Sequence, residues 1–326
     1  MSLEKMIQQR KEEELPEYVT KKLWCSFHEE FIEVGSLEKQ RVNLISWLPT
    51  GKGKVEDGGS IVYISHGLHE HVLKYHVVAE ELTKRGMKVY GADHMGHGLT
   101  YGIRGLIRDH KQLISDQIEV IKIIRNLNPS SKKLFLLCHS MGTLVAMNSI
   151  TQIYPPVDAV CLSGTATVPG PAAASPFGLE WLYPLGQSFV GICLASCLSF
   201  FNEQGPAAPI HMEALMNSWV EREIWKKDPR RFKGDIMNKT AYEVLSMTNN
   251  GKKNLPNITC PVLIIHGGDD EVCYPEGSQQ TLQALGTSPE EKDLVIFDGF
   301  KHEMFRDDGG DKVIQTMVTF FEKYSK

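Results

Sequence analysis

The amino-acid sequence predicts an α/β fold, a mostly parallel central sheet with helices on both faces and an inserted helical cap. Three observations predict it. Short apolar runs of strand length alternate with amphipathic stretches of helix length. The alternation stops near Thr165 and resumes at Pro261. At Cys138-His139-Ser140-Met141-Gly142 an apolar strand passes directly into a helix. The chain of 326 residues is long enough for one such domain with an insertion. The pattern divides it into a charged tail or helix at 1–22, a first core part at 23–164, a cap or lid at 165–245 and a second core part at 246–326.

Phe27-His28-Glu29-Glu30-Phe31-Ile32 and Val42-Asn43-Leu44-Ile45-Ser46-Trp47 predict an antiparallel start, followed by a Gly- and Lys-rich loop from Thr50 to Ser60. Ile61–Ser65, Lys88–Ala92, Leu134–Cys138, Ala159–Ser163, Pro261–His266 and Leu294–Phe297 then read as strands, the most apolar of them buried on both faces. Between them Val77–Arg85, Leu113–Leu127, Met141–Tyr154, Tyr274–Leu285 and Lys312–Tyr324 carry helical periodicity. No internal repeat is present.

Composition narrows the function classes. A net charge of -5 without a long basic run argues against nucleic acid as a partner. Seven dispersed cysteines argue against a disulfide framework, and Cys193 and Cys197 lack the spacing of a zinc site. The N-terminus has no apolar run of signal-peptide type. The expectation is a reducing, cytoplasmic location with peripheral membrane contact through the cap.

The turn at Ser140 carries the chemistry. It matches the nucleophile elbow G-x-S-x-G of the α/β-hydrolase fold, with Cys138 at the first Gly. Such a turn lifts the hydroxyl above the sheet edge and sets it at a helix N-terminus, where N–H groups face developing negative charge. A serine capping its own helix is the plain alternative. In this fold the acid and then the base follow the nucleophile along the chain. His302, after the last strand, is the candidate base; His211 lies in the insertion and His266 ends a strand. The loop Gly267-Gly268-Asp269-Asp270 follows the G-x-x-D pattern and selects Asp270, with Asp269 and then Asp298 as alternatives. The oxyanion donors expected are the N–H groups of Met141 and of Leu68, in the loop after an early strand. The histidines of His66-Gly67-Leu68-His69-Glu70-His71 and Asp93-His94-Met95-Gly96-His97 admit a zinc-hydrolase alternative, but the Ser, Asp, His order needs no metal.

His66-Gly67-x-x-Glu70-His71 with Tyr75, Asp93-His94-x-Gly96-His97-Gly98, His139-Ser140-Met141-Gly142 and Asp270 with Cys273 together resemble the monoacylglycerol lipases, within the lysophospholipase-like serine hydrolases. The resemblance runs from about residue 40 to the C-terminus and is weakest in the insertion, where Lys227-Asp228-Pro229 and Thr240-Ala241 resemble the end of the family's cap. It implies hydrolysis of a monoacylglycerol without a cofactor. It also implies substrate contacts from His66, Gly67, Glu70, Lys74, His139 and Phe305, and from Phe189 in the cap. The chain departs from the family at Cys138 (usually Gly), His69 (usually Gly), Lys74 (usually Arg) and Phe305, where a second His can face the glycerol. A lysophospholipid or a simple carboxylic ester is the alternative substrate.

Trp181 to Asn202 holds no charged residue, yet Pro184, Gly186, Gln187 and Gly191 interrupt it, so an apolar lid over an acyl tunnel is expected rather than a membrane span, with a buried cap helix as the plain alternative. Downstream, Trp219, Val220, Ile224 and Trp225 predict an amphipathic cap helix. Two other functions fit the same features: a non-catalytic lipid-binding module, and a transferase or thioesterase using the same serine.

Overall fold

In the computed structural model, residues 25–35, 39–50, 59–131, 133–170, 172 and 196–325 are described. The tail at 1–22 and most of the apolar cap stretch, including Phe189, lie outside the described residues.

The described strands are β1 (Cys25–Val34), β2 (Gln40–Pro49), β3 (Ile61–Ser65), β4 (Lys88–Ala92), β5 (Leu134–His139), β6 (Ala159–Ser163), β7 (Pro206–Ala208), β8 (Ile236–Met237), β9 (Val262–Gly267) and β10 (Lys292–Phe297). Eight form one sheet in the order β1-β2-β4-β3-β5-β6-β9-β10. β1 and β2 pair antiparallel, as do β2 and β4, and the remaining neighbours are parallel. This is the mostly parallel sheet expected.

Strand periodicity of two divides the core into two layers. Ile61, Tyr63, Leu134, Leu136 and Cys138 point to one face. There they meet α2 (His110–Leu127), α3 (Met141–Ser149) and Met247 of α5 (Asn238–Asn254). Val62, Ile64, Phe135 and Leu137 point to the other face, against α1 (His76–Lys84) and α7 (Gly310–Tyr324), where Phe135 stacks on Phe321 at 5.1 Å. Helices on both faces explain why β3 and β5 are buried along their whole length.

Several bounds differ from expectation. The helix after Ser140 ends at Ser149 and passes into a 3-10 turn, Ile150–Gln152, rather than reaching Tyr154. Pro155 disfavours helical backbone at the residue before it. The second helix begins three residues early because Asp109 caps it, accepting from Lys111 N. Division at 245 falls inside the continuous helix α5, which packs on α3.

The cap's base is β7 paired antiparallel with β8, followed by α4 (Trp219–Lys227) before β8 closes the unit. α4 is amphipathic as expected: Trp225 is buried while Trp219 is 70% exposed. Thr240 Oγ1 ties cap to core, accepting from Ile107 N and donating to Gly105 O. No helix among the described residues is long and apolar enough to cross a membrane.

Candidate active site

Parallel order brings the C-terminal ends of β3, β5, β9 and β10 to one rim of the sheet. Ser140 stands there between β5 and α3 with φ 51° and ψ -121°. A non-glycine residue at positive φ costs on the order of 1–3 kcal/mol and persists only where its surroundings enforce it. Ser140 N–H donates to Ser163 O at 2.9 Å, tying the turn to β6. At Gly142 a Cβ would stand 2.1 Å from Ser65 O, so the helix can lie this close to β3 only with glycine there. The Ser140 side chain does not cap α3, which removes the plain alternative for this residue. It is half-exposed, whereas Cys138 and His139 are buried.

His302 lies in the loop after β10, buried, with its ring 4.8 Å from that of His139, the neighbour of Ser140. A Cβ on Gly164 would touch the His302 ring at 3.1 Å, so the bare glycine after β6 leaves room for it. His302 Nδ1 is 2.7 Å from Asp270 Oδ2. Asp270 is buried, while Asp269 and Asp298 are exposed. Its other oxygen, Oδ1, accepts from Val272 N at 2.8 Å and Cys273 N at 2.9 Å. Burial alone would raise the Asp270 carboxyl, but His302 and His266 beside it hold it far below the usual carboxylate range. Burial would likewise lower His302; the Asp270 carboxylate outweighs it and raises the imidazole above 6.5.

The loop after β3 faces Ser140. A Cβ on Gly67 would lie 3.0 Å from Ser140 Cβ. Gly67 N–H donates to Glu70 Oε1, which also takes the Tyr75 hydroxyl at 2.7 Å. Lys74 Nζ donates to Glu70 Oε2 and to Glu303 Oε2, bridging two buried carboxylates, and sits 4.1 Å over the Trp225 ring of the cap. Glu303 Oε1 is 3.3 Å from His139 Nε2, at ion-pair distance but out of hydrogen-bond alignment. Glu70, His139 and Glu303 converge closely enough to be ligands of one ion, but the Lys74 ammonium already bonds to both carboxylates.

His66, His69, His94 and His97 are also buried at this rim, and burial lowers each of them. His66 accepts at Nε2 from His94 N and faces Gly67 O through Nδ1. Burial first, and neighbouring imidazoles next, hold His66 well below its usual range and His94 at about 3. Burial lowers His97 to about 4. His69 stands at φ 62°, buried. Leu68 is half-buried beside it and packs against the core. Phe305 is buried among core residues with its ring 6.3 Å from Tyr75.

A family model described as serine aminopeptidase, S33 (Hydrolase_4), matches residues 58–309. The chain belongs to this α/β-hydrolase family. Among curated relatives, human monoglyceride lipase is 24% identical over 80% of this chain and 79% of its own length. Monoacylglycerol lipase of Mycolicibacterium smegmatis is 26% identical over 77% of this chain and 84% of its own. A soluble variant of monoglyceride lipase from Saccharomyces cerevisiae, solved with a substrate analogue, shares the fold with a TM-score of 0.76 at 16% identity, covering 96% of this chain and 99% of that one.

Within this hydrolase the fold brings Ser140, His139, His302, Asp270, His66, Gly67, Glu70 and Lys74 to one rim, while Phe305 turns into the core. Three participants escaped the sequence reading. Glu303, next to His302, closes the Lys74 bridge across 229 positions. Asp228, in the cap, faces His71 Nε2 at 2.8 Å. His266 reaches Asp270 Oδ2 at 3.0 Å. His266 carried a signal as a His ending a strand four residues before the acid, and Asp228 as part of Lys227-Asp228-Pro229.

Proposed function

We propose that the chain is a serine carboxylic-ester hydrolase that cleaves monoacylglycerol to fatty acid and glycerol through an acyl-enzyme. The observation that carries this reading is the pairing of buried His302 with buried Asp270 on the rim that holds the strained Ser140 elbow. Ser140 Oγ attacks the ester carbonyl as its proton passes to His302 Nε2, and Asp270 holds the Nδ1–H tautomer. The oxyanion is met by the N–H of Met141, which as the first residue of α3 has no helical partner four residues back, and by that of Leu68. Collapse expels the glycerol oxygen, protonated by His302. Water, deprotonated by the same imidazole, then releases the fatty acid and restores Ser140. Glu70, Lys74 and His139 form the polar end of the site, and the apolar cap covers the acyl chain at the membrane surface.

A lysophospholipase or broader carboxylesterase is the second reading. Phe305, packed on Tyr75 where a second histidine would face glycerol, favours it. A fluorophosphonate probe should label the wild type and leave Ser140→Ala unlabelled; equal labelling ends the proposal. A panel of monoacylglycerols, lysophospholipids and short esters then separates the two readings, the first requiring the highest kcat/KM on monoacylglycerol.

A further inference from the structure

His266 ends β9 with its side chain fully buried. Its Nε2 lies 3.0 Å from Asp270 Oδ2 and 2.8 Å from Cys273 O. Both of those groups only accept, so Nε2 carries the proton. Nδ1 faces the Ser278 hydroxyl 2.6 Å away. Ser278 Oγ is in turn 2.8 Å from Thr165 Oγ1. The ring is therefore fixed in tautomer and orientation by groups on three segments: the β9 loop, α6 (Pro275–Ala284) and the turn after β6.

Asp270 Oδ2 thus meets two imidazoles, His302 Nδ1 at 2.7 Å and His266 Nε2 at 3.0 Å, while Oδ1 is occupied by two backbone N–H groups. We propose that His266 is a positioning residue for the proposed reaction: anchored on Cys273 O, it sets its Nε2–H 3.0 Å from the Asp270 oxygen that holds His302, and so aims the carboxylate and moderates its grip on the His302 proton. This rests on the serine-esterase reading above. Asp270, Glu303 and Glu70 act on His302, with the His139 ring beside it. His266, His302 and the Cys273 thiol, which burial keeps protonated, surround Asp270.

The test compares the wild type with H266L, which removes the donor, and H266Q, whose amide N–H can replace Nε2–H. Losing one hydrogen bond to a charged group should cost H266L about tenfold to a hundredfold in kcat with KM held. Its acid limb in kcat/KM should move to higher pH, because a carboxylate stripped of one donor draws the His302 proton harder. H266Q should keep the wild-type limb and most of kcat. Nitrogen-15 spectra of histidine-labelled wild type should give His266 with its proton on Nε2. Fluorophosphonate labelling sets the baseline, since a wild type that is not labelled overturns the esterase reading itself. With a labelled wild type, an H266L limb that stays in place or moves down, or an H266Q no better than H266L, overturns the role of His266. If H266L does not fold, an Nδ1–H tautomer at position 266, with no proton on Nε2, overturns it.

Discussion

Two sets of histidines share this rim and are equally buried, yet their protonation runs in opposite directions. His66, His69, His94 and His97 lie in the loops after β3 and β4, and burial lowers each of them. For His66, His94 and His69 neighbouring imidazoles add to the effect. His302 lies in the loop after β10 and suffers the same desolvation, but Asp270 at 2.7 Å reverses it. For the first four, burial lowers the imidazole; for His302 the fixed carboxylate on Nδ1 raises it. Lys74 stands between the two regions, bonded to Glu70 of the first and Glu303 of the second.

The largest expected effect breaks the contrast outright. Asp270→Asn should make His302 resemble its neutral neighbours, with kcat down about 10⁴-fold and the residual acid limb moved to lower pH. A pH–rate profile checks both, and a limb left in place would separate Asp270 from the His302 titration. Next comes Lys74→Met, which leaves two buried carboxylates facing each other. Removing one partner of a buried pair costs on the order of 3–5 kcal/mol, readable by urea denaturation. An unchanged midpoint would mean that the bridge contributes nothing to stability.

The pH dependence of the two sets should also differ in sign. His302 is raised, so wild-type kcat/KM should fall on acidification with a midpoint above 6.5; a midpoint below 6.5 would contradict the assignment. The stability tied to its pairing is present below 6.5 and lost as pH rises through the folded value. His94 and His97, lowered to about 3 and about 4, stay neutral in the fold and take up protons when it opens. Their contribution is present above 6.5 and lost as pH falls toward 4. The smallest expected effect follows from this. His97→Gln should shrink the drop in Tm between about pH 7.5 and about pH 5 by about 2–4 °C, the equivalent of roughly 1 kcal/mol. An identical drop in the variant would remove His97 from the acid sensitivity.

The parts of the fold legible in the sequence are those written in local pattern. The runs Ile61–Ser65 and Leu134–His139 could only be strands covered on both faces, and they are. Helix ends were less legible, because Asp109 as a cap and Pro155 as a stop act through single residues that periodicity does not register. Ser140, Asp270 and His302 could be nominated because chain order and the strand-to-helix turn restrict where each can lie. The choice between Asp269 and Asp270 rested on a pattern; in the fold Asp270 is the buried one of the two and faces His302.

By itself, the sequence determined the layer architecture and the glycine beside the elbow, and it named three candidate groups for the rim, since each follows from periodicity, backbone sterics or order along the chain. The tertiary structure alone decided which buried imidazoles are neutral and which is basic, that Lys74 joins Glu70 to Glu303, and that His266 stands on the Asp270 oxygen. Those properties depend on distances of about 3 Å between groups on different strands, and burial and Coulomb terms change steeply over such distances.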